Sequence, residues 1–208
     1  TTARRQRQMC IRDSYNHLLK KNIIIPPRED HDKDTQYEGA YVKDPQLGLH
    51  NWIVSFDLNS LYPHLIMQYN LSPETLVGVQ PKNMGVENYL NEKFNLQWAR
   101  DKNVTVAPNG SMYRRDKQGF LPELMEKMYG DRVVFKKKTI EAKKEFQKTK
   151  DPIYKNEISR CNNIQMAKKI ALNSAYGAIG NQYFRYFDVR IAEAITLGGQ
   201  SVSTTHLR

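Results

Sequence analysis

Asp57 is the residue around which chemistry can be built. It follows the apolar, β-prone stretch of Trp52, Ile53, Val54 and Phe56, and it opens "DLNSLYP" at residues 57–63. A carboxylate at a strand end suits a hard cation such as magnesium, which prefers oxygen ligands. The turn after it exposes the Ser60 and Leu61 amides, which can bind phosphate oxygens. Tyr62 sets a flat ring beside them. Much later, "KKIALNSAYGAIGN" carries Lys169, Asn173, Tyr176 and Gly177 at i, i+4, i+7 and i+8, on one face of a helix. That face offers a cation, an amide, a phenol and a gap. Glycine at 177 costs a helix about 1 kcal/mol, which a close approach by another molecule would explain. Arg132 and Lys136, also four apart, can join the same surface. Cations so grouped suit a triphosphate. The chemistry this implies is phosphoryl transfer, which depends on positioning and charge neutralisation more than on a covalent group from the protein. Two carboxylate-held metal ions can clamp the attacking and leaving oxygens.

These residues need elements to hold them. Residues 52–57 read as a buried strand, too short for a helix. Residues 60–69 read as a short helix with Ser60 at its N-cap, ended by the "LSPET" turn. Residues 76–118 read as irregular, with a turn at "PNG", residues 108–110. Residues 121–148 and about 154–179 read as two long helices, with Asp151-Pro152 starting the second. A short link makes them an antiparallel hairpin. The first is strongly basic, with eight Lys or Arg between Arg132 and Lys150 against two Glu.

Composition agrees with an anionic partner. The 208 residues have room for one large domain or two small ones, and the net charge is +10. Mean hydropathy is low at -0.70, but 39% hydrophobic residues can support a core. Cys10 and Cys161 make neither a disulfide framework nor a metal site and read as free thiols in a reducing compartment. No apolar run is long enough to span a membrane, no signal peptide is visible, and no membrane partner is expected. Residues 1–14 show no apolar period. They resemble translated sequencing-adapter read-through and are expected to be a non-native or disordered leader; "SVSTTHLR" at 201–208 is similarly set aside.

The motifs, taken together, resemble one family. "DLNSLYP" looks like motif A of family B DNA polymerases, and "KKIALNSAYG" looks like motif B. "YEGAYV" at residues 37–42 is similar to the Tyr-x-Gly-Gly element between exonuclease and polymerase domains, although Ala40 replaces its second glycine. "QYNLSPET" and "APNGSMYRRDKQGFLPE" look most like the replicative polymerases of tailed phages. The resemblance spans roughly residues 37–200. It implies an α+β fold: part of a palm with a small antiparallel sheet at 15–118, fingers formed by the helical hairpin at 119–182, and a return towards the palm at 183–208.

The family's roles then fall on particular residues. Asp57 resembles the metal-binding aspartate and the Leu58 carbonyl a second metal contact. Ser60 and Leu61 would contact triphosphate, and Tyr62 would be the steric gate against a 2′-hydroxyl. Arg132, Lys136, Lys169 and Asn173 would grip the incoming nucleotide, and Tyr176 and Gly177 would border the nascent base pair. Tyr37 and Gly39 would touch DNA. The implied cofactor is Mg2+, two ions in the complete enzyme. The implied partners are primer-template DNA and deoxynucleoside triphosphates, with a sliding clamp and other replisome proteins in the full protein. The implied setting is the cytoplasm of an infected bacterial host.

Motif C, Tyr-Gly-Asp-Thr-Asp, does not follow motif B here. "YGDR" at Tyr129–Arg132 imitates its start but lies before motif B and lacks the second acid. The chain alone is therefore expected not to extend a primer. The alternative is a catalytically inactive polymerase-like protein that binds or scaffolds DNA.

Overall fold

The computed structural model describes residues 2–27, 39–40, 42, 44–79, 84–91 and 97–206. In chain order they form α1 (Thr2–Lys20), α2 (Leu61–Tyr69), a 3-10 turn (Pro73–Thr75), β1 (Leu76–Val79), α3 (Val86–Leu90), α4 (Gln97–Asp101), β2 (Val104–Val106), β3 (Ser111–Arg114), α5 (Phe120–Thr149), α6 (Pro152–Ile179) and α7 (Val189–His206). The α+β expectation holds.

The hairpin of α5 and α6 forms as its sequence period predicts, because each helix closes its own backbone hydrogen bonds. Lys150 ends α5 in a left-handed conformation, φ 57°. Asp151 then caps α6: its carboxylate accepts from the Ile153 amide at 2.9 Å, with Pro152 at the first helical position. The base of the hairpin is broad and apolar. Leu121, Leu124, Met125 and Met128 of α5 share a core with Ala171, Leu172, Ala175, Ala178 and Ile179 of α6. Towards the tip only Thr139, Ala142 and Cys161 are buried. These small side chains let the helix axes approach closely.

The start of α5 is held from outside. Its N-cap, Gly119, has no side chain to offer. The Glu74 carboxylate accepts from the Phe120 amide at 2.6 Å, and Asn70 Oδ1 accepts from the Gly119 amide at 2.8 Å. Asn70 also ends α2 in a left-handed turn, and its Nδ2 donates to the carbonyls of Arg114 and Lys117. One side chain thus ties α2, the end of β3 and the start of α5. A methyl group at Gly119 would come within 2.5 Å of Ser72 Cβ, so the joint accepts only glycine without a shift.

Residues 76–114 are more ordered than the expectation of irregular chain. They contain a three-stranded antiparallel sheet in the order β1-β3-β2. Each strand has only three or four residues, too few for a period of two to stand out. The predicted turn at 108–110 forms: the Gly110 amide donates to Ala107 at 2.8 Å, and Asn109 Oδ1 accepts from the Ser111 amide at 3.1 Å. Tyr113 of β3 is fully buried, and that burial raises its phenol pKa well above the usual range.

Two other expectations change. Residues 52–57 form no strand: Trp52 is 98% exposed and Phe56 88%. A strand needs a partner across the sheet, and the three described strands pair with one another. The boundary expected at residue 14 is not a break either. One helix, α1, runs across it and packs on α6 and α5 through Ile11, Ser14, Tyr15 and Leu18. A polar, basic stretch hides such a helix because only one narrow side meets the core. Lys21, just after it, is paired with Glu123 of α5, and this hydrogen-bonded cation holds the Glu123 carboxyl below its ordinary pKa. α7, which includes residues 201–206, buries Ile191, Ala194, Ile195 and Leu197 and packs on α2.

Candidate active site

A cleft of about 540 Å³ opens where the start of α2 meets the base of the hairpin. Residues 57–63 form one wall. Arg132 of α5 and Lys169, Asn173 and Tyr176 of α6 form the other. The three α6 side chains meet there because their spacing puts them on one face, as the sequence predicts. Leu172 and Ala175, between them in sequence, are buried in the core and fix that face outward.

Asp57 and Leu58 stand at the exposed end of the irregular approach to α2. Ser60 occupies the N-cap position but makes no side-chain cap. Its backbone is left-handed, φ 55°, a conformation that costs a non-glycine residue roughly 1 kcal/mol. The turn is braced by His64, whose amide donates to the Ser60 carbonyl at 3.1 Å and whose Nδ1 lies 2.9 Å from the same oxygen. The far side of the His64 ring meets Tyr129 edge-on at 4.8 Å.

The Ser60 hydroxyl, not used as a cap, donates to Asn59 Oδ1 at 3.3 Å. Arg132 Nη1 donates to that hydroxyl at 3.0 Å and to Asn59 Oδ1 at 3.4 Å. Arg132 Nε is buried without a hydrogen-bond partner. The guanidinium therefore links α5 to the residue 59–60 turn and keeps unspent donor capacity. Asp131, the acid of the motif C look-alike, forms a 2.9 Å ion pair with Lys168 of α6. That pair fixes the two helices beside the cleft. Among the described residues no ion pair reaches Lys169, which is exposed.

Tyr62 is held on two sides. Its ring lies 4.8 Å from the Tyr176 ring at 51°. Behind it, a methyl group at Gly199 of α7 would come within 3.0 Å of Tyr62 Cε1. At Gly198 a methyl group would meet Leu65 of α2 at 3.5 Å, an ordinary contact. Gly-Gly inside a helical run is the sequence signal for this contact, since two such residues weaken a helix unless something packs there.

The remaining sequence candidates fall elsewhere. Lys136 lies one turn beyond Arg132, exposed and outside the cleft lining, and Gly177 is half-buried and also outside it. The Gly39 carbonyl accepts from Gln200 Nε2 of α7 at 3.0 Å. Tyr37 lies outside the described residues. Asn59, His64 and Gly199 are the contributors that reasoning on motifs alone passes over.

For a metal ion the cleft offers the Asp57 carboxylate and the Leu58 carbonyl. Both are hard oxygen donors, the type magnesium prefers. Among the described residues no three His, Cys, Asp or Glu side chains group as a metal cage. The donors fit the ion in kind and supply part of a coordination shell.

Comparison with known proteins decides the family. The sequence model of DNA polymerase family B matches residues 2–206. The chain belongs to DNA polymerase family B. It is 30% identical to the DNA-directed DNA polymerase of Escherichia phage RB69, over 89% of this chain and 25% of that protein. It is 31% identical to the enzyme of Enterobacteria phage T4, with the same coverage. DNA polymerase 1 of Pyrococcus abyssi is 34% identical over 79% of this chain and 18% of its own length. The chain thus spans about a quarter of the phage relatives. The fold matches the family B DNA polymerase of Pyrobaculum calidifontis with a TM-score of 0.66 at 24% identity, over the whole of this chain and 23% of that one. Among the described residues no helix is long and apolar enough to cross a membrane.

Proposed function

We propose that this chain is the motif A palm segment and the fingers of a replicative DNA-directed DNA polymerase, and that its cleft receives the incoming deoxynucleoside triphosphate. The observation that carries the reading is the cleft itself, where Asp57, Ser60 and Tyr62 of one motif face Lys169, Asn173 and Tyr176 of the other, with Arg132 between them.

Lys169 and Arg132 neutralise the triphosphate. Arg132 exchanges its bonds to Ser60 and Asn59 for phosphate oxygens, so nucleotide entry loosens the link from α5 to the turn. The Ser60 and Leu61 amides, at the start of α2, add donors for the same anion. Asp57 and the Leu58 carbonyl would hold magnesium, which would supply charge neutralisation on the transferring phosphoryl group; a second ion would need further acids. Tyr62, pinned by Tyr176 and by α7, keeps its ring against the sugar and leaves no space for a 2′-hydroxyl. Asn173 and Tyr176 border the base. Primer-template DNA is the second substrate, which Tyr37 and Gly39 would contact by the family resemblance, and the phage relatives suggest replication inside an infected bacterial cell. With one carboxylate in the cleft among the described residues, the isolated chain binds nucleotide without extending a primer.

Calorimetric titration of the purified chain with magnesium and a deoxynucleoside triphosphate tests this. Binding is expected to need magnesium. Lys169→Ala is expected to weaken it by about tenfold or more, as loss of a hydrogen bond to a charged group implies. DNA binding with indifference to nucleotide would instead favour the catalytically inactive, DNA-binding alternative.

A further inference from the structure

The cleft does not end the positive surface. Arg132, Lys136 and Lys143 recur at i, i+4 and i+11 on α5, which keeps them on one line of the helix, and Lys150 stands just past its end in a left-handed turn, its ammonium 5.9 Å from the Phe146 ring. Arg132 is the member that lines the cleft, so the line runs from the cleft to the tip of the hairpin. At 1.5 Å per residue it is about 27 Å long. On α6, Lys155 lies fourteen residues, about four turns, before Lys169, on the same side of that helix. Lys136, Lys143, Lys150 and Lys155 are all exposed.

The acids of the hairpin are arranged the opposite way. None of the six carboxylates of α5 and α6 falls on this side. Asp131, Glu145 and Glu157 are in ion pairs with Lys168, Lys148 and Arg160. Arg160 is close enough to hold the Glu157 carboxyl down at about 2. Glu123 is taken by Lys21. Among the described residues no ion pair reaches Lys136, Lys143, Lys150 or Lys155. A solvated helix would mix its signs around the surface. Here one side is left with cations alone, joined end to end with the cleft.

We propose that this side of the hairpin is a track for single-stranded DNA leading to the cleft. The length selects the ligand. At the duplex rise of about 3.4 Å per phosphate on each strand, the line faces at most about eight phosphates, and fewer of an extended single strand, within the usual footprint of single-strand binding surfaces. A triphosphate is too short to use Lys143, Lys150 and Lys155 together with Lys169. Contacts made by lysine to phosphate carry no base readout, so binding is sequence-tolerant and salt-sensitive. The proposal rests on the polymerase reading only for saying that the strand leads to a nucleotide site.

The test uses the full 208-residue chain and a fluorescein-labelled twelve-residue oligo-dT, titrated by anisotropy across a salt series. The variant Lys143→Ala/Lys150→Ala/Lys155→Ala removes three cations from the track and none from the cleft. Its affinity is expected to fall about tenfold or more at low salt, and its slope of log affinity against log salt to become shallower by about 2. The charge-matched variant Lys137→Ala/Lys144→Ala/Lys148→Ala, on the opposite side of α5, is expected to change little. Circular dichroism checks that both keep their helices, which alanine favours at every substituted position except 150, past the end of α5. Equal losses in the two variants would reduce the effect to net charge and overturn the track. No binding of the oligonucleotide by the parent chain would also overturn it. Loss of magnesium-nucleotide affinity in the first variant, with DNA affinity intact, would make this side a nucleotide funnel instead. Nucleotide binding that fails in the parent chain while the oligonucleotide result stands would remove the polymerase reading and keep the track.

Discussion

The hairpin and the approach to Asp57 are both built from strongly patterned sequence, and they end in opposite states. In α5 and α6 the apolar positions are buried: Leu124, Met125, Leu172 and Ile179 expose 4% or less. Between Trp52 and Phe56 the apolar side chains are as dense, yet Ile53 is 77% exposed and Val54 71%. A helix completes its hydrogen bonds within itself, and its partner here lies one tight turn away. A strand completes nothing alone, and the described strands pair elsewhere. The difference is one of contact distance along the chain, not of hydrophobicity. Half of the cleft therefore rests on a self-sufficient element, and the half that carries Asp57 rests on an element that draws little support from the described fold.

Substitutions can break or sharpen this contrast. The largest effect is expected at Leu172, 1% exposed at the joint of hairpin and core. Leu172→Ala should lower unfolding free energy by about 2–5 kcal/mol. Urea denaturation measures it, and a loss under about 1 kcal/mol would mean the hairpin base is not the core. A middle effect is expected at the turn: Asp151→Ala removes the α6 cap and should cost about 1 kcal/mol in the same experiment. The smallest belongs to the other region. Trp52→Ser should change stability by less than about 0.5 kcal/mol, because the indole is already in water. A loss as large as that at Leu172 would show that residues 52–56 are packed in solution and would erase the contrast.

What could be read from sequence follows the same division. The hairpin bounds, the Asp151-Pro152 start, helix α2 and the turn at 108–110 all depend on neighbours a few residues away, and all were legible. The three strands were not, because three or four residues carry too little alternation. Residues 52–57 carry a strand's composition without its pairing. Helix α1 was hidden because its buried positions, Ser14 among them, do not announce a face. In the cleft, the residues that share a helix face or a motif came together: Asp57, Leu58, Ser60, Leu61, Tyr62, Arg132, Lys169, Asn173 and Tyr176 line one space. Lys136 and Gly177, assigned by spacing and by the family resemblance together, lie outside its lining. Asn59, His64 and Gly199 act through long-range or backbone contacts that no period encodes.

Gly199 has a wider consequence. It stands in the last helix, far along the chain from Tyr62, and presents a hydrogen where most helical positions present a methyl. The Tyr62 ring rests against that hydrogen, and a carbon placed there would lie only 3.0 Å from Cε1, too close unless the ring gives way. The position of the ring is thus recorded twice in the sequence, once at its own codon and once at a distant one. Drift at 199 would edit the floor of the cleft without altering any residue that lines it, and a catalogue of cleft residues would miss the change.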